Sequence, residues 1–198
     1  MESNTEKIVD EDGCTVSVMR GWLDQAKANK IYQRLVKELE WDQQTLKIYG
    51  KEFLEPRLTY PMGNDGLMHK YTGTAREVKQ WIKPIKKIRN KIEDEIGFAS
   101  NSCLINYYRN GNDVIGVHSD KETTAPEHFV VTISLGATRD ILFKRKNRKG
   151  KTLKVPLHSG DLCFMSGRTQ ELWVHSIPKR TRCIDGRIAL TFRELGSE

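Results

Sequence analysis

The sequence predicts an α+β fold that is mainly β: a jelly-roll core preceded by two supporting helices. Apolar residues recur every three or four positions in two N-terminal stretches, at about 22–41 and 83–96, which is the periodicity of amphipathic helices. From residue 102 onward the pattern changes to short apolar runs separated by turn residues. Eight strands at this spacing are typical of a double-sheet jelly roll, which can enclose a site between its sheets. The predicted strands are 103–108, 114–118, 129–135, 139–144, 152–156, 161–165, 172–176 and 186–192.

The N-terminal half is expected to provide the helices and some hairpins. Residues 1–15 are polar and acidic without periodicity, which indicates a flexible tail before a single domain at 16–198. Within that domain we expect helices and hairpins at 16–101 and the jelly roll at 102–198. Asp24 lies near the start of the first helix, Pro84 fits the first turn of the second, and Gly97 ends it. Gly50 marks a hairpin tip within 47–51, and 58–73 is expected to be a loop or an irregular hairpin.

Composition narrows the class of protein. The 198 residues suit one domain, and a net charge of +7 favours a polyanionic partner. The four cysteines are dispersed without a CxxC pair, so neither a zinc site nor a disulfide framework is indicated. No apolar run approaches the roughly 20 residues of a membrane span. We therefore expect a soluble intracellular monomer that makes no membrane contact.

His118 and Asp120 are the first candidates for chemistry. Side chains two residues apart on a strand face the same way, so this imidazole and carboxylate could bind one metal ion. His175 lies in a later predicted strand. Two histidines and one carboxylate form the facial triad of non-haem iron(II) oxygenases, which leaves coordination positions open for a co-substrate and oxygen. The hypothesis is therefore an iron site in a β-rich fold.

Arg187 and Arg193 lie six residues apart in the last predicted strand. An even spacing places both side chains on one face, which we expect to be the interior face that His118 and Asp120 also line. Buried guanidinium groups need anions because they keep their charge. A small dicarboxylate would pair with both arginines and would be held in a fixed orientation.

These residues resemble the motifs of the AlkB family of iron(II)- and 2-oxoglutarate-dependent nucleic-acid dealkylases. The matching motifs, in family order from about residue 47 to the end, are Asn106-Tyr-Tyr108, Gly111, His118-Ser-Asp120, His175, and Arg187 through Thr191 to Arg193. The resemblance implies a double-stranded β-helix with a nucleotide-recognition lid of hairpins, and Fe(II), 2-oxoglutarate and molecular oxygen as cofactor and co-substrates. It assigns His118, Asp120 and His175 to the metal, and Asn106, Tyr108, Arg187, Thr191 and Arg193 to 2-oxoglutarate. Ala189 stands where many members have Asn, so one polar contact near the co-substrate is missing or replaced.

Within that family, the segments 136–140, 143–151 and 176–182 most resemble the eukaryotic-type homologue that repairs double-stranded DNA. This implies base flipping, hydroxylation of 1-methyladenine and 3-methylcytosine with release of formaldehyde, and a nuclear location in a eukaryote. A finger of Ile48, Tyr49 and Gly50 would enter the duplex. The residues implied at the flipped base are Tyr71, His118, Glu122, Arg57 and Tyr60. The residues implied to contact DNA phosphates are Lys144, Arg145, Lys146, Arg148, Lys149, Lys179, Arg180 and Arg182.

Several alternatives stay open at this point. Tyr49 could be an ordinary core aromatic at a hairpin end, and the basic run at 144–151 could be a solvated turn. The enzyme could act on single-stranded DNA or RNA instead of duplex DNA. A nucleic-acid-binding jelly roll without catalysis would bind no iron. A small-molecule oxygenase would have no evident use for the basic segments.

Overall fold

The computed structural model describes residues 4–48, 51–71, 74–120, 128–147 and 150–196. Within these ranges strands predominate over helices. The first half of the chain forms β1 (Thr5–Glu11), β2 (Cys14–Met19), α1 (Gln25–Glu38), β3 (Thr45–Ile48), β4 (Lys51–Leu54), β5 (Leu58–Gly63), β6 (Met68–Tyr71), β7 (Thr74–Glu77) and α2 (Lys83–Ile96). The second half forms β8 (Ser102–Tyr108), β9 (Ile115–His118), β10 (Val130–Gly136), β11 (Arg139–Arg145), β12 (Leu153–Leu157), β13 (Leu162–Gly167), α3 (Thr169–Leu172), β14 (Trp173–Ile177) and β15 (Arg187–Arg193).

Two antiparallel sheets form the core. The major sheet has the strand order β1-β2-β13-β10-β15-β8-β5, and the minor sheet has the order β12-β11-β14-β9. The eight predicted strands supply four strands to each sheet, and each begins and ends within one or two residues of its prediction. The jelly-roll prediction is therefore confirmed. Two separate hairpins, β3–β4 and β6–β7, lie outside these sheets.

The two long helices cover one face of the major sheet. Asp24 caps α1 by accepting hydrogen bonds from two backbone amides, and Gly97 ends α2 with a left-handed φ of 74°. Ala28 and Leu35 of α1, and the isoleucine stripe of α2, are buried against this face. Because side chains alternate along a strand, the intervening residues of the same strands point into the space between the two sheets. The site lies in that space.

The prediction of a flexible tail at residues 1–15 was wrong from Thr5 onward. Strand β1 pairs with β2 in antiparallel register, and β2 pairs with β13, so this N-terminal hairpin extends the major sheet. Arg145 of β11 holds the hairpin tip through Glu11 and Asp12. Strand β5 also joins the major sheet, beside β8. The core sheets are therefore not confined to 102–198.

Candidate active site

The predicted metal ligands meet between β9 and β14. His118 and His175 are opposite each other in the antiparallel register, and their ring centroids are 4.3 Å apart. His175 Nε2 lies 3.4 Å from Asp120 Oδ2, and His118 Nε2 lies 3.9 Å from Asp120 Oδ1. Each residue offers one ligand atom, and the three atoms lie within 4.8 Å of one another. This donor set and spacing fit one octahedral iron(II) ion with three open positions.

Hydrogen bonding and charge prepare these ligands for a cation. His118 Nδ1 lies 2.9 Å from the carbonyl of Gly116, which favours the tautomer that leaves Nε2 free as a ligand. Burial, reinforced by His175, lowers the pKa of His118 to about 4. Burial raises the pKa of Asp120, but Arg193 and the two histidines outweigh it and hold this pKa far below its usual range. At neutral pH the site therefore offers the neutral imidazole of His118 and the carboxylate of Asp120, both in the form that binds a metal ion.

Arg187 places a buried guanidinium group in the cavity that the metal-ligand candidates also line. Its side chain is almost fully buried, its Nε donates to Ser134 Oγ at 2.9 Å, and its guanidinium lies 5.4 Å from the centre of the Tyr108 ring. Burial lowers its pKa. Its Nη1 is buried and has no hydrogen-bond partner among the described residues. A buried cation with an unused donor fits a ligand carboxylate, as 2-oxoglutarate would provide.

Asn106 belongs to a second buried polar group. Its Oδ1 accepts from Arg57 Nε at 2.8 Å, and Arg57 Nη2 pairs with Glu55 Oε1 at 2.8 Å. Ala189 lies directly opposite Asn106 across the β15–β8 pair. Burial raises the pKa of Glu55 despite the nearby Arg57. Arg57 therefore fixes the side chain of Asn106. The cross-strand neighbour of Asn106 is Ala189, the position where many family members have Asn.

The remaining predicted ligands line the same cavity, whose volume is about 90 Å³. Thr191 Oγ1 lies 3.5 Å from Thr132 Oγ1, and Arg193 pairs with Asp120. The cavity therefore combines a carboxylate and two imidazoles with the guanidinium groups of Arg187 and Arg193. Apolar side chains form much of the remaining wall: Leu104, Ile115, Ile141, Met165 and Ile177.

The predicted contacts with the flipped base fare differently. Arg57 lines the cavity, but its guanidinium is engaged by Asn106 and Glu55. The prediction for Tyr60 was wrong, because Tyr60 packs with the core on the helix side of the major sheet and lies under Lys79 Nζ at 4.4 Å. Glu122 lies outside the described residues, and so does the side chain of Tyr71. The same holds for Tyr49 and Gly50 and for the side chain of Ile48 at the proposed finger.

The basic residues on β11 and in the loop after it fall into two groups. Lys144 is exposed. Arg145 is paired with Glu11 and Asp12, whereas Lys146 Nζ donates to the carbonyls of Gln170 and Glu171 at 2.9 and 2.8 Å. These last two side chains therefore make contacts within the protein. Arg148 and Lys149 lie outside the described residues.

A second basic segment, with Lys179, Arg180 and Arg182 exposed, follows β14. It packs on the turn at Gly111, which exchanges backbone hydrogen bonds of 2.7 Å with Arg180 and Cys183. A Cβ at Gly111 would lie 1.8 Å from the Arg180 carbonyl oxygen, so only glycine permits this approach. The turn that follows Tyr108 therefore sets the position of the basic segment.

Three buried polar residues of the site were not predicted. Ser134 bonds Arg187, Glu55 bonds Arg57, and Gln170 Oε1 accepts from the backbone N–H of Asp120 at 2.8 Å. Ser134 and Gln170 are about 50 residues away in sequence from these partners. Glu55 is two residues from Arg57 but belongs to none of the recognised motifs. The only available signal was the polar residue Ser134 inside an apolar strand run.

Comparison with known proteins gives the geometry a family. The family model described as the 2OG-Fe(II) oxygenase superfamily matches residues 15–193. The human DNA oxidative demethylase ALKBH2 is 34% identical over 193 residues, covering 92% of this chain and 73% of that protein. The chain belongs to the AlkB family of 2OG-Fe(II) oxygenases. Iron(II), 2-oxoglutarate and oxygen are accordingly its cofactor and co-substrates.

Other AlkB relatives support the same assignment. The mouse ALKBH2 is 32% identical over 193 residues, covering 92% of this chain and 80% of that protein. The human alpha-ketoglutarate-dependent dioxygenase alkB homolog 3 is 31% identical over 188 residues, covering 90% and 65%. A solved structure described as "The structure of OsALKBH1" superposes with a TM-score of 0.69 at 19% identity, covering 96% of this chain and all of that one, which supports the fold. None of the described helices is long and apolar enough to cross a membrane.

Proposed function

We propose that this protein is an oxidative DNA demethylase that removes N-methyl groups from 1-methyladenine and 3-methylcytosine. The observation that carries the proposal is that the cluster of His118, Asp120 and His175 lines the same cavity as Arg187, which has an unused donor. The named relatives in the ALKBH2 group are DNA oxidative demethylases, which supports DNA as the substrate. We also propose that the protein acts as a monomer. In a eukaryotic cell its proposed location is the nucleus.

The residues of the chain have separate tasks in this proposal. His118, Asp120 and His175 bind Fe(II), and Arg187 pairs with a carboxylate of 2-oxoglutarate with help from Asn106, Tyr108, Thr191 and Arg193. When bound, Fe(II), 2-oxoglutarate and oxygen supply the oxidant that hydroxylates the N-methyl group, and the resulting hemiaminal releases formaldehyde. The apolar wall of the cavity excludes water from the reacting centre.

We further propose that duplex DNA is the preferred substrate. Phe53 and Leu54 of the β3–β4 hairpin are 50% and 62% exposed, which is unusual for large apolar side chains and suits a hairpin that inserts between bases. Tyr49 directly follows β3 in the sequence. The exposed Lys144 and the 179–182 segment would contact phosphates. Methylated bases pair poorly, so flipping them costs less than flipping intact bases.

Replacing Tyr49 with Ala tests the duplex preference. Demethylation is followed by mass spectrometry on a 1-methyladenine oligonucleotide, presented once as a duplex and once as a single strand. We expect the variant to lose activity on the duplex and to keep it on the single strand, which serves as the internal control. An equal loss on both would reject the finger assignment. Wild-type protein that acts only on single-stranded DNA or RNA would reject the duplex preference itself.

A further inference from the structure

Asp120 is the one metal ligand that no strand holds in place. His118 and His175 are fixed by the register of β9 and β14, but β9 ends at His118, and Asp120 lies two residues beyond. The backbone N–H of Asp120 is instead bound by the side chain of Gln170 at 2.8 Å, and this hydrogen bond is buried. At the backbone of this carboxylate ligand, a side-chain amide therefore takes the place of the strand ladder, while Arg193 pairs with the carboxylate itself.

Gln170 is itself held firmly. It lies in α3, whose first residue, Thr169, donates to the carbonyl of Ser166 at 2.6 Å and accepts from the backbone of Thr15 at 3.1 Å. Gln170 Nε2 donates to Met165 Sδ at 3.4 Å. Because the amide nitrogen is used in this way, the amide oxygen points at Asp120. Gln170, in α3, thus contacts both Met165 of the cavity wall and the metal-ligand candidate Asp120.

Lys146 supports this arrangement from the other side. Its Nζ donates to the carbonyls of Gln170 and Glu171 and lies 3.3 Å from Ser119 Oγ. A lysine that donates to the last carbonyls of a helix stabilises the end of that helix. Ser119 stands between the two metal ligands of the His118-Ser-Asp120 motif. Lys146 therefore contacts both α3 and the segment that carries Asp120.

We propose that Gln170, supported by Lys146, is a positioning residue that sets the Asp120 carboxylate in its metal-binding orientation. This inference rests on the proposed function, because it takes the His118, Asp120 and His175 cluster to be the iron site. Partners that orient metal ligands typically change metal affinity about 10- to 100-fold when removed. The side chain of Lys146 would then serve the metal centre rather than the DNA.

The test uses Co(II) as a spectroscopic substitute for iron. Gln170→Met keeps the length of the side chain but removes the acceptor, and Lys146→Met removes the support. The matched control is Glu171→Gln, since within the described ranges the ion pair of the Glu171 side chain is with the exposed Arg168. Co(II) affinity, the visible Co(II) spectrum and the thermal midpoint of the metal-free protein are measured for each variant.

We expect Gln170→Met to bind Co(II) about 10- to 100-fold more weakly than the wild type and to show an altered visible spectrum. Lys146→Met should also weaken Co(II) binding and change the spectrum in the same way as Gln170→Met. Glu171→Gln should match the wild type. A Gln170→Met protein that is less heat-stable but keeps the wild-type Co(II) affinity and spectrum would overturn the inference, because its role would be structural only. If the wild type itself binds no Co(II), the proposed function fails instead.

Discussion

Replacing Arg187 with Met should separate the stability of the protein from its affinity for 2-oxoglutarate. Arg187 is nearly fully buried, and burial lowers its pKa, so its charge is costly in the metal-free, ligand-free protein. Its Nη1 has no acceptor among the described residues. Because no described residue provides a counter-ion, removing this buried charge should leave the free energy of unfolding nearly unchanged or raise it, even though the contacts with Ser134 and Tyr108 are lost.

The same change should weaken co-substrate binding strongly. A hydrogen bond to a charged group contributes about 1.5–3 kcal/mol, which corresponds to a loss of about 10- to 150-fold in affinity. The dissociation constant is measured by anaerobic calorimetry with a redox-inert metal at the site, and stability is measured by urea denaturation. Arg145→Met is the matched control, since Arg145 pairs with the N-terminal hairpin and does not line the cavity. Unchanged 2-oxoglutarate affinity together with a large loss of stability would refute the reasoning.

Three further outcomes follow from the burial, hydrogen bonding and exposure of other side chains. His69 of β6 is buried, and this burial lowers its pKa to about 3. The folded state therefore binds fewer protons than the unfolded state below pH 6.5, and stability falls as the pH falls. Between pH 7.5 and 5.5, urea denaturation should show a loss of unfolding free energy that is about 1.4 kcal/mol smaller in His69→Gln than in wild type. Asn106→Ala should cost about 1–3 kcal/mol of unfolding free energy, because buried Arg57 loses an acceptor, and unchanged stability would contradict the hydrogen bond. Lys144→Met should reduce by about one the slope of the logarithm of DNA affinity against the logarithm of salt concentration, whereas Lys146→Met should leave this slope unchanged. An equal reduction in both variants would show that both lysines contact phosphates.

Much of the fold could be predicted from local patterns. The α2 helix begins and ends at the predicted residues because Pro84 and Gly97 mark its two ends. The jelly-roll strands were predicted because buried strands are short and apolar. By contrast, β1 is an edge strand in which only Val9 is buried. Its sequence is therefore mostly charged and lacks the apolar pattern from which the other strands were predicted. The four-residue α3 is too short to show helical periodicity.

Site residues that share a strand or belong to a family motif were predictable, whereas contacts between distant segments without a motif were not. Arg187 and Arg193 lie six positions apart in one strand, so strand geometry alone places their side chains on the same face. Gln170 acts on Asp120 from 50 residues away, and nothing in its own surroundings indicates that contact. Tyr60 was misplaced because its neighbours did not reveal that it lies in a strand of the major sheet, facing the helices.

The most direct test of the account is the coupled reaction of the iron-loaded protein with 2-oxoglutarate and a duplex that carries one 1-methyladenine. Loss of the methyl mass, formaldehyde release and methylated-substrate-dependent succinate formation are followed together. The account predicts that all three appear in equal amounts, and that Asp120→Ala abolishes them. A protein that binds iron and 2-oxoglutarate but removes no methyl group from either the duplex or the matching single strand would contradict the account.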